Sequence, residues 1–308
     1  MELNGFRDLR IDLNQSRAQQ FMRCKRKFGW WALQRLVPDR PSFPLDYGTA
    51  WHTLRAMRSA GAALDEALKV AQDGFLAAMP KVATPGDTEL INEHIVLLGR
   101  MAADYERHWA DTPDAWTPIA IETQGKVEVG PVGSGVYLIF KVDEVGMWHN
   151  AVWMVDRKTA GRMDPRDLQK YQLDIQLSAY VYGLRKLTGM PVAGAIIDYA
   201  VKTKVPQFTR DVFTRTTEDL QEFEDEWLEV AREIAWRLRR IEQGEDWKTV
   251  LYKNTNECFS YGTCWYRDLC VSDTPTRRLA FKRRDEDYVE DQSKLVSPAG
   301  ERTPEQGS

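Results

Sequence analysis

The sequence is poor in what an exported or membrane-bound protein needs. No stretch approaches the roughly 18–20 uncharged apolar residues of a bilayer span. The opening MELNGFRDLRIDLNQSR carries charges where a signal peptide has an apolar run, so a cytoplasmic location with no membrane partner is expected. There are only 4 cysteines and 4 histidines, which leaves metal binding, catalysis or burial for the thiols rather than a disulfide framework. No G-x4-G-K-[ST] element occurs, so the chain has no nucleotide-driven motor of its own, and no G-x-S-x-G element supports a serine hydrolase. GPVGSG at 130–135 has its glycines in the wrong order for a dinucleotide fingerprint and reads as a hairpin turn.

What is present is enough for a sizeable core, since 43% of residues are hydrophobic and 11% aromatic; general disorder is excluded. The formal charge of −4 argues, taken alone, against a polyanionic partner, but its distribution reverses that impression. Arg17, Arg23, Lys25, Arg26, Lys27, Arg35 and Arg40 crowd the N-terminal region, while the acids concentrate between Glu218 and Asp246. Phe28, Trp30 and Trp31 interleave the basic stretch. That pattern suits phosphates plus base stacking, and equally a solvated helix face beside core aromatics.

Along the chain, Ser16 with Gln19 three residues on predicts a capped helix carrying Cys24, and a second helix opens near Gly48 and His52. Two more helices are predicted at about 62–79 and 88–110. The middle reads as a meander, with strands in IAIETQGKVEVG, SGVYLIFKVDEVG and AVWMVDRKT and a turn at GMWHN. A helix follows Pro165 and closes at Gly189, VAGAIIDYAVKT forms one more strand, and a long acidic helix spans about 216–243. These elements predict an α/β fold, a central mixed sheet flanked by helices, as one domain over 1–273. The charged tail 274–308 is expected to be disordered.

Asp143 ends one strand, and Asp156 and Lys158 share a face of the next because side chains alternate with period two. Two carboxylates and an ammonium at one edge suit phosphodiester hydrolysis, in which a hard cation polarises the phosphate. D-x-K alone is also compatible with a salt-bridged surface hairpin. An imidazole joined to carboxylates and a backbone carbonyl, that of Arg157, suits Mn²⁺ well and Mg²⁺ acceptably. His52 otherwise reads as a histidine satisfied by backbone, and His94, His108 and His149 as core or surface residues. Glu122 is either a further acid near the metals or a solvated strand residue. Cys258, Cys264 and Cys270 recur at x5 intervals in NECFSYGTCWYRDLC, which lacks the C-x2-4-C pairs of a structural zinc site.

In combination, SRAQQFMRCKRKF, GTAWH, KVDEV, VDRKT and DIQLSAY resemble, in order, motifs of the PD-(D/E)XK nuclease superfamily. The similarity is to its RecB/AddB branch, which includes the CRISPR-associated adaptation exonuclease. The resemblance implies a restriction-endonuclease-like fold and Mg²⁺ or Mn²⁺ held by His52, Asp143, Asp156 and the Arg157 carbonyl. It implies Lys158 beside the attacking water, and Gln176 and Tyr180 on one helix face towards the substrate. Relatives with a 4Fe-4S cluster place one cysteine beside the first helix and three near the C-terminus, which Cys24, Cys258, Cys264 and Cys270 resemble, although the first C-terminal interval is x5 where those relatives have x2. Zinc and free thiols are the other readings of these cysteines. The implied function is metal-dependent cleavage of DNA, exonucleolytic on single strands or ends, in recombination, repair or end processing. A helicase or recombination protein would be its partner, and a bacterium or bacteriophage its setting. A non-catalytic DNA-end-binding adaptor and an RNA-processing nuclease are the alternatives.

Overall fold

The computed structural model describes residues 10–39, 43–79, 85–111, 116–162, 169–260 and 262–283. Its centre is a mixed six-stranded sheet of β1 (Ile11–Leu13), β3 (Thr117–Glu128), β4 (Val136–Trp148), β5 (Ala151–Ala160), β6 (Val192–Val201) and β7 (Gln207–Thr214). The order is β1-β4-β5-β6-β7, with β3 also on β4. Because antiparallel β3 follows almost the whole of one edge of β4, the other edge is shared: parallel β1 takes Val136–Leu138 and antiparallel β5 takes Glu144–Trp148. Strands β4 and β5 turn at His149 and Asn150, both left-handed with φ 47° and 58°, the backbone that a tight two-residue hairpin demands.

Helix α6 (Ile175–Thr188) connects β5 to β6, which pair in parallel and so need a crossover. It shares the main core with α1 (Gln15–Arg23) and α7 (Thr217–Glu242). Helices α3 (Phe43–Ser59), α4 (Leu64–Ala77) and α5 (Pro85–His108) build a second core against the other face. Period-two alternation separates the two: Tyr199 and Val201 of β6 enter the main core, and Ala200 enters the helical one. Among the described residues no helix is long and apolar enough to cross a membrane.

Several expectations are corrected. Helix α1 is capped by Asn14, whose side chain accepts the Arg17 N–H at 2.9 Å, so the first turn precedes the Ser16 capping box. The helix breaks at Cys24, which is extended at φ −154° and ψ 106°, and resumes as α2 (Lys25–Phe28) and a π-helical turn over Gly29–Leu33. The Arg23 carbonyl freed by that break accepts from Asn254 Nδ2 at 2.9 Å. Of the helix expected after Pro165, residues 163–168 lie outside the described residues; Lys170–Leu173 form a 3-10 turn, the helical path breaks at Asp174, and the α-helix runs from Ile175, capped by the Asp174 side chain accepting the Gln176 N–H.

The first residues of the tail expected from 274 are structured. Thr274 caps α10 (Pro275–Arg278), and β8 (Phe281–Arg283) pairs with β2 (Leu36–Pro38), helped by Phe281 stacking on Tyr266 at 5.5 Å. Residues 284–308 lie outside the described residues. Trp30, a candidate for base stacking, is fully buried, edge-on to Trp247 at 4.8 Å. Arg26 is also buried and donates to the Leu251 and Lys248 carbonyls, so neither is presented to a ligand.

Candidate active site

Where β4 and β5 part, the last paired residues are Glu144 and Val155. Continuing that register sets Asp143 directly opposite Asp156. There the ladder gives way to a side-chain contact: the Arg157 N–H donates to Asp143 Oδ2 at 2.8 Å. The carboxylate thus takes the hydrogen bond that a partner strand would have accepted, which satisfies a backbone donor and fixes the orientation of Asp143. Its Oδ1 accepts from His52 Nδ1, 3.0 Å away, so α3 is tied to the same point. Gly48 lies one turn earlier on α3, where a Cβ would come within ordinary contact, 3.6 Å, of Thr159 Oγ1 of β5.

Asp156 and Lys158 share a face of β5, with Lys158 Nζ 2.7 Å from Asp156 Oδ2. The ammonium also donates to Gln176 Oε1 at 3.0 Å, and Gln176 Nε2 donates to the Tyr180 hydroxyl at 3.1 Å. Gln176 and Tyr180, one turn apart on α6, therefore continue the polar line that begins at Asp143. Glu122 falls opposite Asp143 in the β3–β4 register, between Ile121↔Glu144 and Thr123↔Val142. Its φ of 53° is uncommon for a residue with a side chain, and its carboxylate is paired with Lys141.

Charges shape the site. Burial and the facing Asp143 push Asp156 up from the usual carboxylate range, against the pull of Lys158. Burial also acts on Asp143, but His52 and Arg157 outweigh it and hold that carboxyl low. Burial pulls His52 down, and Asp143 and Asp156 more than restore it. Burial alone would lower Lys158, yet Asp156 lifts it above its ordinary value.

Two opposed carboxylates and an imidazole form the donor set of a hard or borderline divalent cation, and each carboxylate oxygen keeps lone pairs beyond its present contacts. Asp156 Oδ2 is buried and makes no well-directed hydrogen bond, even with Lys158 beside it. A cation would relieve the repulsion between the carboxylates. The residues fit such an ion in chemistry and neighbourhood, although among the described residues no three His, Cys, Asp or Glu side chains stand as a ready-made cage.

Behind the site lies a buried network that sequence reasoning missed. The Arg157 side chain points away from Lys158 and donates to Glu144 and to Ser59 Oγ. Glu144 accepts from Trp116 Nε1 at 2.6 Å, and Asp198, beside Arg157 on β6, accepts from the Tyr105 hydroxyl at 2.6 Å and from Arg210. A signal for it existed: Asp198 is a lone acid in the apolar run VAGAIIDYAV, and a buried charge needs a partner.

The cysteines lie near one another at the far end of α1, although among the described residues no three of them stand as a group that could hold a metal. Cys24 Sγ accepts the Asn254 N–H at 3.4 Å, and Cys270 Sγ accepts from Trp30 Nε1 at 3.3 Å. Cys258 and Cys264 are joined through Cys264 N–H to Cys258 C=O at 2.8 Å. Burial pushes the Cys258 thiol up, and Cys264 and Cys24 push it further; Cys270 responds to burial and to Cys24 and Cys264. His94, His108 and His149 lie apart from both clusters, in α5 and the β4–β5 turn.

A family model of the PD-(D/E)XK nuclease superfamily matches residues 12–271, and the chain belongs to that superfamily. Its members are phosphodiesterases that typically use Mg²⁺ or Mn²⁺. Among solved structures, a candidate exonuclease from Eubacterium rectale is 18% identical, with a TM-score of 0.47 over 80% of this chain and 88% of its own. The protein SSO0001 is 11% identical, with a TM-score of 0.30 over 72% of this chain and 74% of its own. No curated protein matches the sequence.

Replacing Arg157 with Met should leave Glu144 buried without its charge partner and cost about 3–5 kcal/mol of stability, as breaking a buried pair does. Glu144→Gln, which retains an acceptor for Trp116, should cost less. Urea denaturation of the two variants checks the order; a loss under about 1 kcal/mol for Arg157→Met would show that the pair does not hold the strands.

Proposed function

We propose that this chain is a divalent-cation-dependent deoxyribonuclease of the RecB and AddB type that degrades single-stranded DNA from an end. The facing of Asp143 and Asp156 at the point where β4 and β5 part supports this reading most directly. Asp143, Asp156, His52 and the Arg157 carbonyl are the residues for the ion. A bound divalent cation would polarise a phosphoryl oxygen and make water a competent nucleophile near neutral pH. Lys158, held between Asp156 and Gln176, sets a positive charge beside the phosphate, where negative charge grows in the transition state. Gln176 and Tyr180 offer an amide and a hydroxyl in line with it, suited to holding the strand in register. The role of Glu122 would be indirect, through Lys141 next to Asp143 on the same strand.

End-dependent attack is supported by the basic N-terminal segment, which is brought against the C-terminal segment by Arg26 and Asn254. Recombination, repair or end processing would be the setting, with a helicase supplying single strands. Linear single-stranded DNA should be degraded in Mn²⁺, while covalently closed single-stranded circles resist. Asp156→Ala and Lys158→Ala should each slow degradation by at least about 100-fold with the melting temperature kept near that of the parent. Equal cutting of circles would make the enzyme an endonuclease. Undiminished cleavage by either folded variant would remove the site.

We also propose that Cys24, Cys258, Cys264 and Cys270 bind a 4Fe-4S cluster. Support comes from the proximity of Cys24 to the C-terminal cysteines, close enough for their charges to act on one another, and from the N–H donors of Asn254 and Trp30 aimed at two of the sulfurs, an arrangement that stabilises ligating thiolates. Protein purified without oxygen should be brown and contain about four iron and four acid-labile sulfide per chain. Stoichiometric zinc without iron would overturn the cluster.

A further inference from the structure

A surface cavity of about 270 Å³ lies beside the cysteines, lined by Met22, Arg23, Lys25, Tyr252, Lys253, Asn254 and Thr255. Three of these residues are cationic and none is acidic. The elements that build it are α1, α2 and the segment after α8 (Trp247–Val250), none of which supplies a residue to the Asp143–Lys158 cluster. The cavity is smaller than the ~300–1,000 Å³ usual for an enclosed small ligand. It suits one unit of a chain running past it.

The surroundings say what kind of chain. Tyr252 is 53% exposed, with Lys25 Nζ 5.4 Å from its ring and the Arg237 guanidinium 5.1 Å from it. Arg237 in turn lies 5.4 Å from the ring of Trp236, which is 49% exposed and also faces Arg240 at 4.6 Å. In this strip two half-open rings therefore flank Arg237, which is itself buried and donates to the Val250 carbonyl at 2.6 Å, with Lys25 and Arg240 on their outer sides. Two acids contact the strip: Glu233, 3.4 Å from Lys25 and 2.8 Å from Arg237, and Glu245, which accepts from Arg240 at 2.7 Å. They neutralise part of the charge and hold Lys25, Arg237 and Arg240 in place; Lys253 has no acid contact of this kind among the described residues and is oriented by the Cys270 carbonyl at 3.3 Å. The arginines of α7 are gathered towards its C-terminal end, so the strip is basic although the helix as a whole is acidic.

We infer that this cavity and strip are a remote anchor for single-stranded DNA: Arg23, Lys25 and Lys253 take a phosphodiester, and Tyr252 and Trp236 stack on unpaired bases. The inference rests on the nuclease reading for the identity of the strand. Cations that track phosphates and aromatic faces that accept any base are the two elements of sequence-independent single-strand binding. A duplex keeps its base faces stacked on each other and has no use for the rings. The anchor moves the stacking role from Trp30, which is buried, to two aromatics that are open.

The test is fluorescence anisotropy of a labelled oligodeoxythymidylate with the full chain in EDTA, so that binding is read without cleavage. Arg23→Glu with Lys253→Glu should weaken binding at least about 10-fold and flatten the dependence of log K on log salt by about 1.4, two phosphate contacts at ~0.7 each. Tyr252→Ala should weaken it about 5-fold or more. Lys253→Gln alone, at an exposed position, provides a mild variant whose melting temperature should equal that of the parent and whose salt slope should still fall. Parental affinity and slope in both the double variant and Lys253→Gln would overturn the anchor, even in a protein that degrades DNA. Binding that depends on these residues, in a protein that cleaves nothing in Mn²⁺, would uphold the anchor and remove the nuclease reading. Equal affinity for a blunt duplex of the same length would overturn the single-strand assignment.

Discussion

Two buried carboxylates set face to face repel each other, and the fold holds Asp143 and Asp156 in that position by separating two strands at one defined residue pair. The β4–β5 ladder stops at Glu144 and Val155, and the next pair is the pair of acids. Asp143 stays ionised because His52 and the Arg157 backbone donate to it. Asp156 is left with the adverse share of burial and repulsion, relieved in part by Lys158. This is a local energetic cost concentrated where a cation would remove it, as expected of a site selected for function rather than for stability.

That arrangement needs rigid support, and the support comes from the opposite face of the same two dipeptides. Asp143 and Glu144 are neighbours, as are Asp156 and Arg157. One member of each pair faces the site, and the other enters the buried Glu144–Arg157 ion pair. Trp116 donates to Glu144, Tyr105 and Arg210 donate to Asp198, and Ser59 accepts from Arg157, so the network reaches α3 and α5. The separation of the two site carboxylates is thus set by a network that no substrate touches. At the other end of the molecule, Arg26, Trp30, Asn254 and Tyr266 join the first and last segments by direct hydrogen bonds, which bring Cys24 into the neighbourhood of the C-terminal cysteines.

Much of the site was legible because its signals are local. Period two puts Asp156 and Lys158 on one face of β5, and the i, i+4 spacing puts Gln176 and Tyr180 on one face of α6. The lone acid in β6 was an unread signal of the buried network, and naming Arg157 as its neighbour required the β5–β6 register. What could not be read depended on contacts distant in sequence. Trp30 is buried because Trp247 and Tyr266 pack around it. The break at Cys24 is invisible in the apolar spacing, which continues across it, and is stabilised by Asn254. Strand β7 was missed because QFTRDVFT is largely polar and gains its conformation from pairing with β6. Residues 281–283 are structured, against the expected tail, because β8 pairs with β2, more than two hundred residues earlier.

The central claim is that Asp143 and Asp156 share a divalent cation. Crystals soaked in Mn²⁺ and measured at the manganese absorption edge test it without reference to substrate or rate. An anomalous peak within coordination distance of both carboxylates and of His52 is the expected result, absent in Asp156→Ala. No peak there at saturating Mn²⁺, in crystals that diffract and retain the parental fold, would contradict it.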